Sequence, residues 1–376
     1  MTEKAFDLAI VGGGIVGAAC AWEAARAGLR VAIIESAVIG GGATAAGMGH
    51  IVVMDDSDAQ FALTHYSQQL WQEIAPELPS DVEYEECGTI WVAADDDEME
   101  EVRRKVQFYQ TRGVAVQILS AEALAKAEPN LRPGLAGALL VPGDGVVYPP
   151  CAARYFLERA QSLGTQLRCG QPVVALSNEG VTLRDGTFIS AGATVNATGS
   201  WAASLTPGID VQKRKGHLLI TDRYPGFVRH QLIELGYLKS AHSISSDSVA
   251  FNVQPRKTGQ VLIGSSRQYG VGEAQVEAAM LSRMLARAAE YMPGITRLSA
   301  LRTWTGFRAA TPDKLPLVGL CPGYEKLYLA TGHEGLGITT SMGTAKLLVD
   351  QLLHRPSAIP LAPYLPNRTH QEAAHA

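Results

Sequence analysis

The stretch Phe6–Glu35, FDLAIVGGGIVGAACAWEAARAGLRVAIIE, decides the fold of this chain. An apolar run of strand length, Phe6–Val11, breaks into three glycines and is followed by residues with helical spacing. Gly28 is placed to end that helix, and a second apolar strand then ends at Glu35. This order predicts a βαβ unit whose strands are buried on both faces of a parallel sheet, and therefore an α/β fold.

Three glycines of this unit, Gly12, Gly14 and Gly17, have the G-x-G-x-x-G spacing of a dinucleotide site. The first allows a tight turn, the second lets backbone amides approach a pyrophosphate, and the third allows close helix packing. Glu35 lies 18 residues after Gly17, where a carboxylate accepts a hydrogen bond from a ribose 2′-hydroxyl and disfavours the 2′-phosphate of NADP. FAD and NAD both satisfy this pattern.

The segment that follows the second strand, residues 39–52, is IGGGATAAGMGHIV and consists almost entirely of small residues. An ordinary connection there would be short and polar. We expect an extended ligand to run along it from the pyrophosphate into the interior, with Thr44 offering a hydroxyl and Met48 a flexible apolar contact. The alternative interpretation is close packing of secondary structure on small residues.

A second strand, glycine-rich turn and helix occurs near the end of the chain, YLATGHEGLGITTSMGTAKLLVDQLL, with the turn at Gly332–Gly337. The amides at the start of such a helix favour an anion or a carbonyl oxygen. A flavin needs this kind of stabilisation for its reduced ring, whereas NAD enzymes have no general need for it, so the pattern favours FAD. The alternative is a purely structural turn.

The middle of the chain alternates short strands with a few helices and indicates a second domain inserted into the first. Helices are expected near residues 152–162 and 273–291, a hairpin turn at 184–186, and a strand at 193–199 that rejoins the nucleotide-binding sheet. We predict a Rossmann-like FAD-binding domain with an inserted, mostly antiparallel β-sheet substrate domain. The first comprises residues 1–83, 141–210 and 316–376, and the second comprises residues 84–140 and 211–315.

Composition excludes several function classes for these 376 residues. The net charge is −5 without a run of basic residues, which argues against nucleic-acid binding. Five scattered cysteines, none in a C-x-x-C pair, predict neither disulfides nor a bound metal. No signal peptide or membrane-length apolar run is visible, so a cytoplasmic protein is expected. Oligomerisation is possible and is not decided by the sequence.

The motifs GGGIVG with Glu35, AAGMGH, VNATGSWA, GFRAATPDKLPLVG and TGHEGLG occur in the order found in the D-amino-acid oxidase superfamily, which the chain resembles from about Asp7 to Leu353. That superfamily includes glycine and sarcosine oxidases. The resemblance implies a discontinuous FAD-binding domain and a β-rich domain over the flavin ring. It implies FAD contacts from Gly12, Gly14, Ile15, Val16, Gly17, Glu35, Ser36, Ala43, Thr44, Gly47, Met48, Val174, Ala197, Thr198, Gly199, Trp201, Gly306, Gly332, His333, Gly335, Leu336, Gly337, Ile338 and Thr339.

Arg308 is the principal candidate for catalysis, because in the resembled family the arginine just before T-P-D grips the substrate α-carboxylate. A guanidinium binds a carboxylate through two parallel hydrogen bonds and so fixes orientation as well as position. The resemblance implies hydride transfer from Cα to flavin N5, with catalysis mainly by positioning. The alternative is an internal ion pair, for which Asp313 is the nearest acid in sequence.

Three histidines and one glutamate are further candidates at this site. His50 and His333 are candidate catalytic residues, and Met48, His50, His217 and Glu334 are candidate substrate contacts. Each histidine has an alternative, purely structural interpretation, and Glu334 could face either the substrate amine or water. None of the histidines is required by the mechanism.

Two details narrow the resemblance. Gly306 stands where monomeric sarcosine oxidase has a flavin-tethering cysteine, so FAD is expected to be non-covalent. The stretch LRTWTGFRAATPDKLP resembles the FAD-bearing β-type subunits of proline, D-hydroxyproline, opine and cyanide-forming glycine dehydrogenases. It implies oxidation of a D-hydroxyproline-, proline-, glycine- or sarcosine-like substrate, with possible partner subunits, a separate electron acceptor or oxygen. The alternative is a non-catalytic electron-transfer or scaffold subunit.

Overall fold

Two eight-stranded sheets form the protein in a computed structural model that describes residues 6–236 and 247–368. The first sheet has its strands in the order β17-β18-β11-β1-β2-β8, with β9 and β10 attached as an antiparallel extension of β11. Its strands are β1 (Phe6–Val11), β2 (Val31–Glu35), β8 (Gln166–Cys169), β9 (Val173–Ser177), β10 (Gly180–Leu183), β11 (Phe188–Asn196), β17 (Leu317–Leu320) and β18 (Leu327–Thr331).

Strand β1 is central in this sheet and is parallel to both of its neighbours, β2 and β11. Leu8 and Ile10 are buried in one apolar cluster and Ala9 and Val11 in another, so both faces of the strand are covered. The return of β11 to the nucleotide-binding sheet, expected from the sequence, is confirmed. The hairpin predicted at residues 184–186 joins β10 to β11 and is also confirmed.

The second sheet has the order β16-β12-β15-β14-β13-β4-β6-β5 and is antiparallel except for the pairing of β13 with β4. Its strands are β4 (Thr89–Ala93), β5 (Gln117–Ser120), β6 (Gly137–Val141), β12 (Gln212–Arg223), β13 (Gln231–Glu234), β14 (Ser248–Pro255), β15 (Gln260–Arg267) and β16 (Ala300–Ala310). A two-stranded pair, β3 (His50–Ile51) and β7 (Gly145–Val146), lies apart from both sheets.

This is the predicted architecture of a parallel nucleotide-binding sheet interrupted by a mostly antiparallel sheet. The predicted residue bounds of the two domains stay predictions. Their parts at residues 1–5, 237–246 and 369–376 lie outside the described residues.

Eight α-helices are found among the described residues. They are α1 (Ile15–Arg26), α2 (Asp58–Ile74), α3 (Asp96–Gln110), α4 (Ala121–Ala127), α5 (Pro149–Ser162), α6 (Ala202–Leu205), α7 (Ala278–Tyr291) and α8 (Gly337–Leu352). Helix α1 packs against both α5 and α8 in the largest apolar core. None of these helices is long and apolar enough to cross a bilayer.

Two predicted helix starts differ from the structure. Helix α5 begins at Pro149 rather than residue 152, because proline already has a helical φ and is tolerated in the first turn. Helix α7 begins at Ala278 rather than residue 273. The residue before it, Glu277, donates its amide to the His217 ring, 3.0 Å away, and pairs its carboxylate with Lys215, which ties that segment to β12.

Candidate active site

One large cavity of about 820 Å³ lies where the carboxyl ends of the parallel strands meet the face of the second sheet. This is where ligands bind in open α/β sheets, and the volume is near the upper end for ligand pockets. The predicted site residues that line it are Gly12, Gly14, Ile15, Val16, Glu35, Ser36, Ala43, Thr44, Gly47, Met48, His50, Ala197, Thr198, Gly199, Trp201, His217, Gly306, Arg308, His333, Glu334, Gly335, Leu336, Gly337 and Ile338.

The glycine turn before α1 leaves no room for side chains. Gly12 has φ +110°, and a Cβ built there would lie 2.5 Å from the carbonyl oxygen of Ala197. A Cβ on Gly17 would lie 2.0 Å from the Gly12 carbonyl oxygen, which is why Gly17 belongs to helix packing and does not line the cavity. Gly14 caps α1 and lines the cavity. The turn thus presents backbone at a helix N-terminus, as an anionic phosphate requires.

Glu35 is fixed by the same turn. One carboxylate oxygen, Oε2, accepts from the Gly13 amide at 2.7 Å, and Oε1 accepts from the Ala37 amide at 2.8 Å and from the Ser36 hydroxyl at 3.1 Å. Each carboxylate oxygen can accept more than one hydrogen bond, so a ribose hydroxyl can still be bound.

The small-residue segment lines the cavity and also packs tightly, so both interpretations of it describe part of the structure. The Thr44 hydroxyl accepts from the Ile15 amide at 3.0 Å, holding the segment to the start of α1. A Cβ on Gly47 would lie 2.7 Å from the Ile338 side chain, and one on Gly306 would lie 2.2 Å from the Ala46 Cβ. A cysteine at position 306 would therefore collide with this segment.

The second glycine turn places Gly335, Leu336 and Gly337 in the cavity wall at the N-terminus of α8. The His333 ring is held by the helix itself, with Nε2 2.9 Å from the Thr344 hydroxyl. Burial lowers the pKa of His333 to about 3, so the ring is neutral. This geometry gives His333 a structural partner, and its catalytic role stays a prediction.

Arg308 lies on β16 and lines the cavity. Its Nη1 donates to the Ser266 carbonyl oxygen at 3.0 Å, and a Cβ on Gly216 would lie 2.6 Å from that nitrogen. The guanidinium therefore rests on the bare backbone of Gly216. Asp313, the alternative partner considered from the sequence, forms a two-hydrogen-bond ion pair with Arg368 at 2.7 and 2.8 Å.

A buried ion pair stands beside Arg308. Arg214, directly opposite Arg308 on β12, pairs with Glu334, and both side chains are almost inaccessible. The Glu334 amide donates to the Ala309 carbonyl oxygen at 2.8 Å, although Glu334 has φ +52°. Its Oε2 has no hydrogen-bond partner among the described residues. Whether that oxygen contacts the substrate stays a prediction, but the structure shows that Arg214 neutralises the carboxylate.

The other two candidate histidines differ in their surroundings. His217 is fully buried, with Nδ1 3.0 Å from the Ser266 hydroxyl and Nε2 accepting from the Glu277 amide, so both ring nitrogens are engaged within the sheet. His50 is only partly buried, and Arg308 is close enough to lower its pKa in addition to the larger effect of burial. His50 is therefore the histidine best placed to meet a ligand held by Arg308.

Four predicted cofactor contacts do not line the cavity: Gly17, Val174, Gly332 and Thr339. Val174 is 51% exposed, and the adjacent Val173 lines the cavity instead, because successive side chains of a strand point to opposite faces. Gly332, with φ +78°, forms the turn against Thr311. The Thr339 hydroxyl donates to the His50 carbonyl oxygen at 2.8 Å and so anchors β3.

Several lining residues were missed by the sequence analysis. Among them are Arg214, Asn252, Arg267 and Lys314, which come from β12, β14, β15 and the loop after β16. The first three lie in strands in which most residues are buried, and Lys314 lies in a loop. No local spacing marks these residues, because they meet only in the tertiary structure.

The residues present fit FAD. The glycine turn and α1 suit the pyrophosphate, Glu35 suits the ribose, and the small-residue segment leaves a path to the α8 N-terminus, where amides can stabilise the carbonyl side of a flavin ring. Gly306 offers no side chain for a covalent link. Among residues 6–236 and 247–368, no group of three or more His, Cys, Asp or Glu side chains forms a metal site.

Comparison with known proteins agrees with this geometry. The family model "DAO: FAD dependent oxidoreductase" matches residues 7–351. The glycine oxidase of Geobacillus kaustophilus strain HTA426 is 30% identical over 97% of each chain. The crystal structure of the glycine oxidase from that species superposes with a TM-score of 0.87 at 29% identity, covering 98% of this chain and 100% of the other. The hydrogen cyanide synthase subunit HcnC of Pseudomonas aeruginosa is 27% identical over 99% and 98% of the two chains.

Proposed function

The chain belongs to the DAO family of FAD-dependent oxidoreductases and is an amino-acid oxidase or dehydrogenase of the glycine oxidase type, and we propose that it oxidises the Cα–N bond of a small amino or imino acid to an imine. When bound, FAD supplies the ring whose N5 accepts the hydride from Cα. The observation that carries the proposal is that Arg308 and the glycine turn for the nucleotide line the same cavity.

The part played by the protein's own residues is chiefly to position the substrate. The Arg308 guanidinium binds the α-carboxylate, and its contacts with Ser266 and Gly216 hold the side chain in place. The buried Arg214–Glu334 pair fills the space beside it and excludes water. Fixing the carboxylate fixes the direction of the Cα–H bond, which converts a random encounter into an aligned one.

The substrate side chain is a finer proposal. We expect a D-hydroxyproline- or proline-like ring, with glycine and sarcosine as the smaller alternatives. The similarity of residues 301–316 to the β-type dehydrogenase subunits supports the first expectation, and the glycine oxidase relatives support the second.

A second candidate function is a non-catalytic FAD-binding electron-transfer or scaffold subunit of a heteromeric dehydrogenase. It is favoured by one observation, the similarity to HcnC, which is named as a subunit. Partner subunits, or a soluble or membrane-bound electron acceptor, are therefore part of the proposal.

Anaerobic bleaching of the flavin tests these alternatives. The FAD-loaded chain is mixed without oxygen with glycine, sarcosine, both prolines or both 4-hydroxyprolines, and flavin absorbance is followed. Loss of the oxidised flavin spectrum with one of them supports catalysis by this chain alone, and no loss with any of them supports the scaffold function. Reoxidation with air or with a dye then distinguishes an oxidase from a dehydrogenase.

A further inference from the structure

Beside Arg308, the polar side chains of Gln231, His50 and Asn252 form a chain of contacts that ends in the cavity. The Gln231 amide sets its direction. Its Nε2 donates to the Gly145 carbonyl oxygen at 2.9 Å and to the Thr89 hydroxyl at 3.2 Å. Because a carbonyl oxygen can only accept, the NH₂ group must face Gly145, and the Gln231 Oε1 must face His50.

The orientation of Gln231 decides which nitrogen of His50 carries the proton. Nδ1 of His50 lies within hydrogen-bond distance of the Gln231 Oε1, which is an acceptor, so Nδ1 is the donor. A neutral imidazole has one donor and one acceptor nitrogen, which leaves Nε2 as an acceptor. Burial has the largest effect on the pKa of His50 and lowers it, the hydrogen bond with Gln231 raises it, and the charge of Arg308 lowers it. The pKa lies below its ordinary value as a result, which favours the neutral ring.

The orientation of Asn252 follows from that of His50. Its Nδ2 lies 3.4 Å from the His50 Nε2, and since Nε2 is an acceptor, the amide presents its NH₂ group there. The other end, Oδ1, is buried and has no hydrogen-bond partner among the described residues. Asn252 and His50 both line the cavity, and Asn252 is only 7% exposed. Leaving a buried acceptor unsatisfied is costly, so we expect a water molecule or a ligand in the cavity to donate to this oxygen.

We propose that Asn252 Oδ1 binds an N–H group of the substrate amine, and that Gln231 and His50 are positioning residues. Gln231 holds His50 in the tautomer whose Nε2 accepts from the Asn252 amide, and that hydrogen bond fixes which end of the amide carries the remaining acceptor. The inference rests on the proposed function and deepens it. Arg308 offers donors to the carboxylate, and Asn252 offers an acceptor to the amine, so the two ends of an amino acid are distinguished. A neutral tertiary amine has no N–H to offer and is expected to bind poorly.

Matched pairs of ligands test the amine site. Proline and tetrahydrofuran-2-carboxylate share a ring and a carboxylate, but the second has an ether oxygen in place of N–H. Sarcosine and methoxyacetate form a smaller pair of the same kind. Binding to the FAD-loaded chain is read from the shift in flavin absorbance immediately on mixing without oxygen, before any bleaching, so it is measured separately from reduction.

The variants to compare are Asn252→Leu and Arg308→Leu. In the unsubstituted protein we expect the amine of each pair to bind at least about tenfold more tightly than the ether, since tenfold corresponds to one such interaction. Asn252→Leu should remove most of that preference while changing ether binding by less than about threefold, whereas Arg308→Leu should weaken both ligands. Equal binding of amine and ether to the unsubstituted protein, or an unchanged preference in Asn252→Leu, overturns the proposal.

The positioning role of Gln231 has its own readout. Gln231→Met removes the acceptor for Nδ1–H and adds no charge, so nothing at position 231 selects the tautomer whose Nε2 accepts. We expect the amine preference to be lost at every pH measured, with ether affinity unaffected.

A retained amine preference in Gln231→Met overturns the role of Gln231. FAD content and the melting temperature show whether this variant folds. If it does not fold, Gln231→Ala takes its place with the same expectation. A failure of the bleaching panel with normal amine preference would contradict the proposed oxidation and leave the amine site supported.

Discussion

The two ends of the cavity are built in different ways. At the nucleotide end, residues 12–47 form one continuous segment in which glycines, backbone amides and a single carboxylate meet the ligand. At the substrate end, side chains from β3, β12, β14, β16 and the turn before α8 meet, and each comes from a different part of the chain. Recognition by backbone requires particular residue types at fixed spacing in the local sequence, whereas recognition by side chains from different strands does not. Substitutions at the nucleotide end should therefore change stability and FAD binding, and substitutions at the substrate end should change flavin reduction by the substrate.

The largest effect is expected at the substrate end, from Arg308→Leu. Arg308→Leu removes the charged contact, with its two hydrogen bonds, to the α-carboxylate. We expect the specificity constant for flavin reduction to fall by an amount that corresponds to about 2–5 kcal/mol of transition-state stabilisation. Arg308→Lys is the matched control, because it keeps the charge without the planar guanidinium. Its specificity constant should lie between those of the unsubstituted protein and Arg308→Leu. Stopped-flow reduction measures the effect, with FAD content checked in each variant. A loss of less than tenfold with FAD still bound contradicts the assignment.

At the nucleotide end, Gly12→Ala should act on stability and FAD binding together. Its φ of +110° is strained for alanine, and its Cβ would meet the Ala197 carbonyl oxygen at 2.5 Å. We expect a loss of about 2–3 kcal/mol in the free energy of unfolding, together with weaker FAD binding. Gly28→Ala is the control, since φ is +90° there but nothing lies within 4 Å. It should cost about 1 kcal/mol and leave FAD affinity unchanged. Equal losses of stability for Gly12→Ala and Gly28→Ala in denaturant titrations would show that the positive φ, and not the contact with Ala197, determines the loss.

The contact between the two ends is testable through Gly306 and Ala46. A Cβ at position 306 would lie 2.2 Å from the Ala46 Cβ, so Gly306→Ala should destabilise the protein by about 1–3 kcal/mol. Ala46→Gly removes the atom in the way, and the double variant should recover most of the loss. Thermal melting of all four proteins gives the coupling energy. If the effects of the two substitutions simply add, the segment that contains Ala46 moves away from the new Cβ and the proposed collision does not occur.

The smallest effect is expected from Glu35→Gln. Each carboxylate oxygen accepts a backbone N–H, so the NH₂ group of glutamine replaces one acceptor and breaks the hydrogen bond from either Gly13 or Ala37, besides weakening the ribose contact. We expect FAD to bind about fivefold more weakly, or about 1 kcal/mol, as measured by flavin fluorescence titration. Reduction of the bound flavin by substrate should be unchanged. An effect on the reduction rate would mean that the two ends are not independent.

The start of α7 was placed five residues early, because nothing local shows that Glu277 is held by His217 and Lys215 of β12. That boundary depends on tertiary contacts, which no local pattern shows. Val174, predicted as an FAD contact, has an exposed side chain while its neighbour Val173 lines the cavity, and its contact stays a prediction.

The sequence by itself determined the βαβ unit, the glycine turn, Glu35, the small-residue segment and the prominence of Arg308. It could do so because tight turns and close backbone approach admit few residue types, at fixed spacing. Only the tertiary structure decided which side chains face Arg308, that Glu334 is neutralised by Arg214, and that Asn252 stands beside His50. Tertiary packing brings these residues together from different elements, and His50 and Asn252 are 202 positions apart in the sequence. Ordinary strand residues give no local sign of such partners.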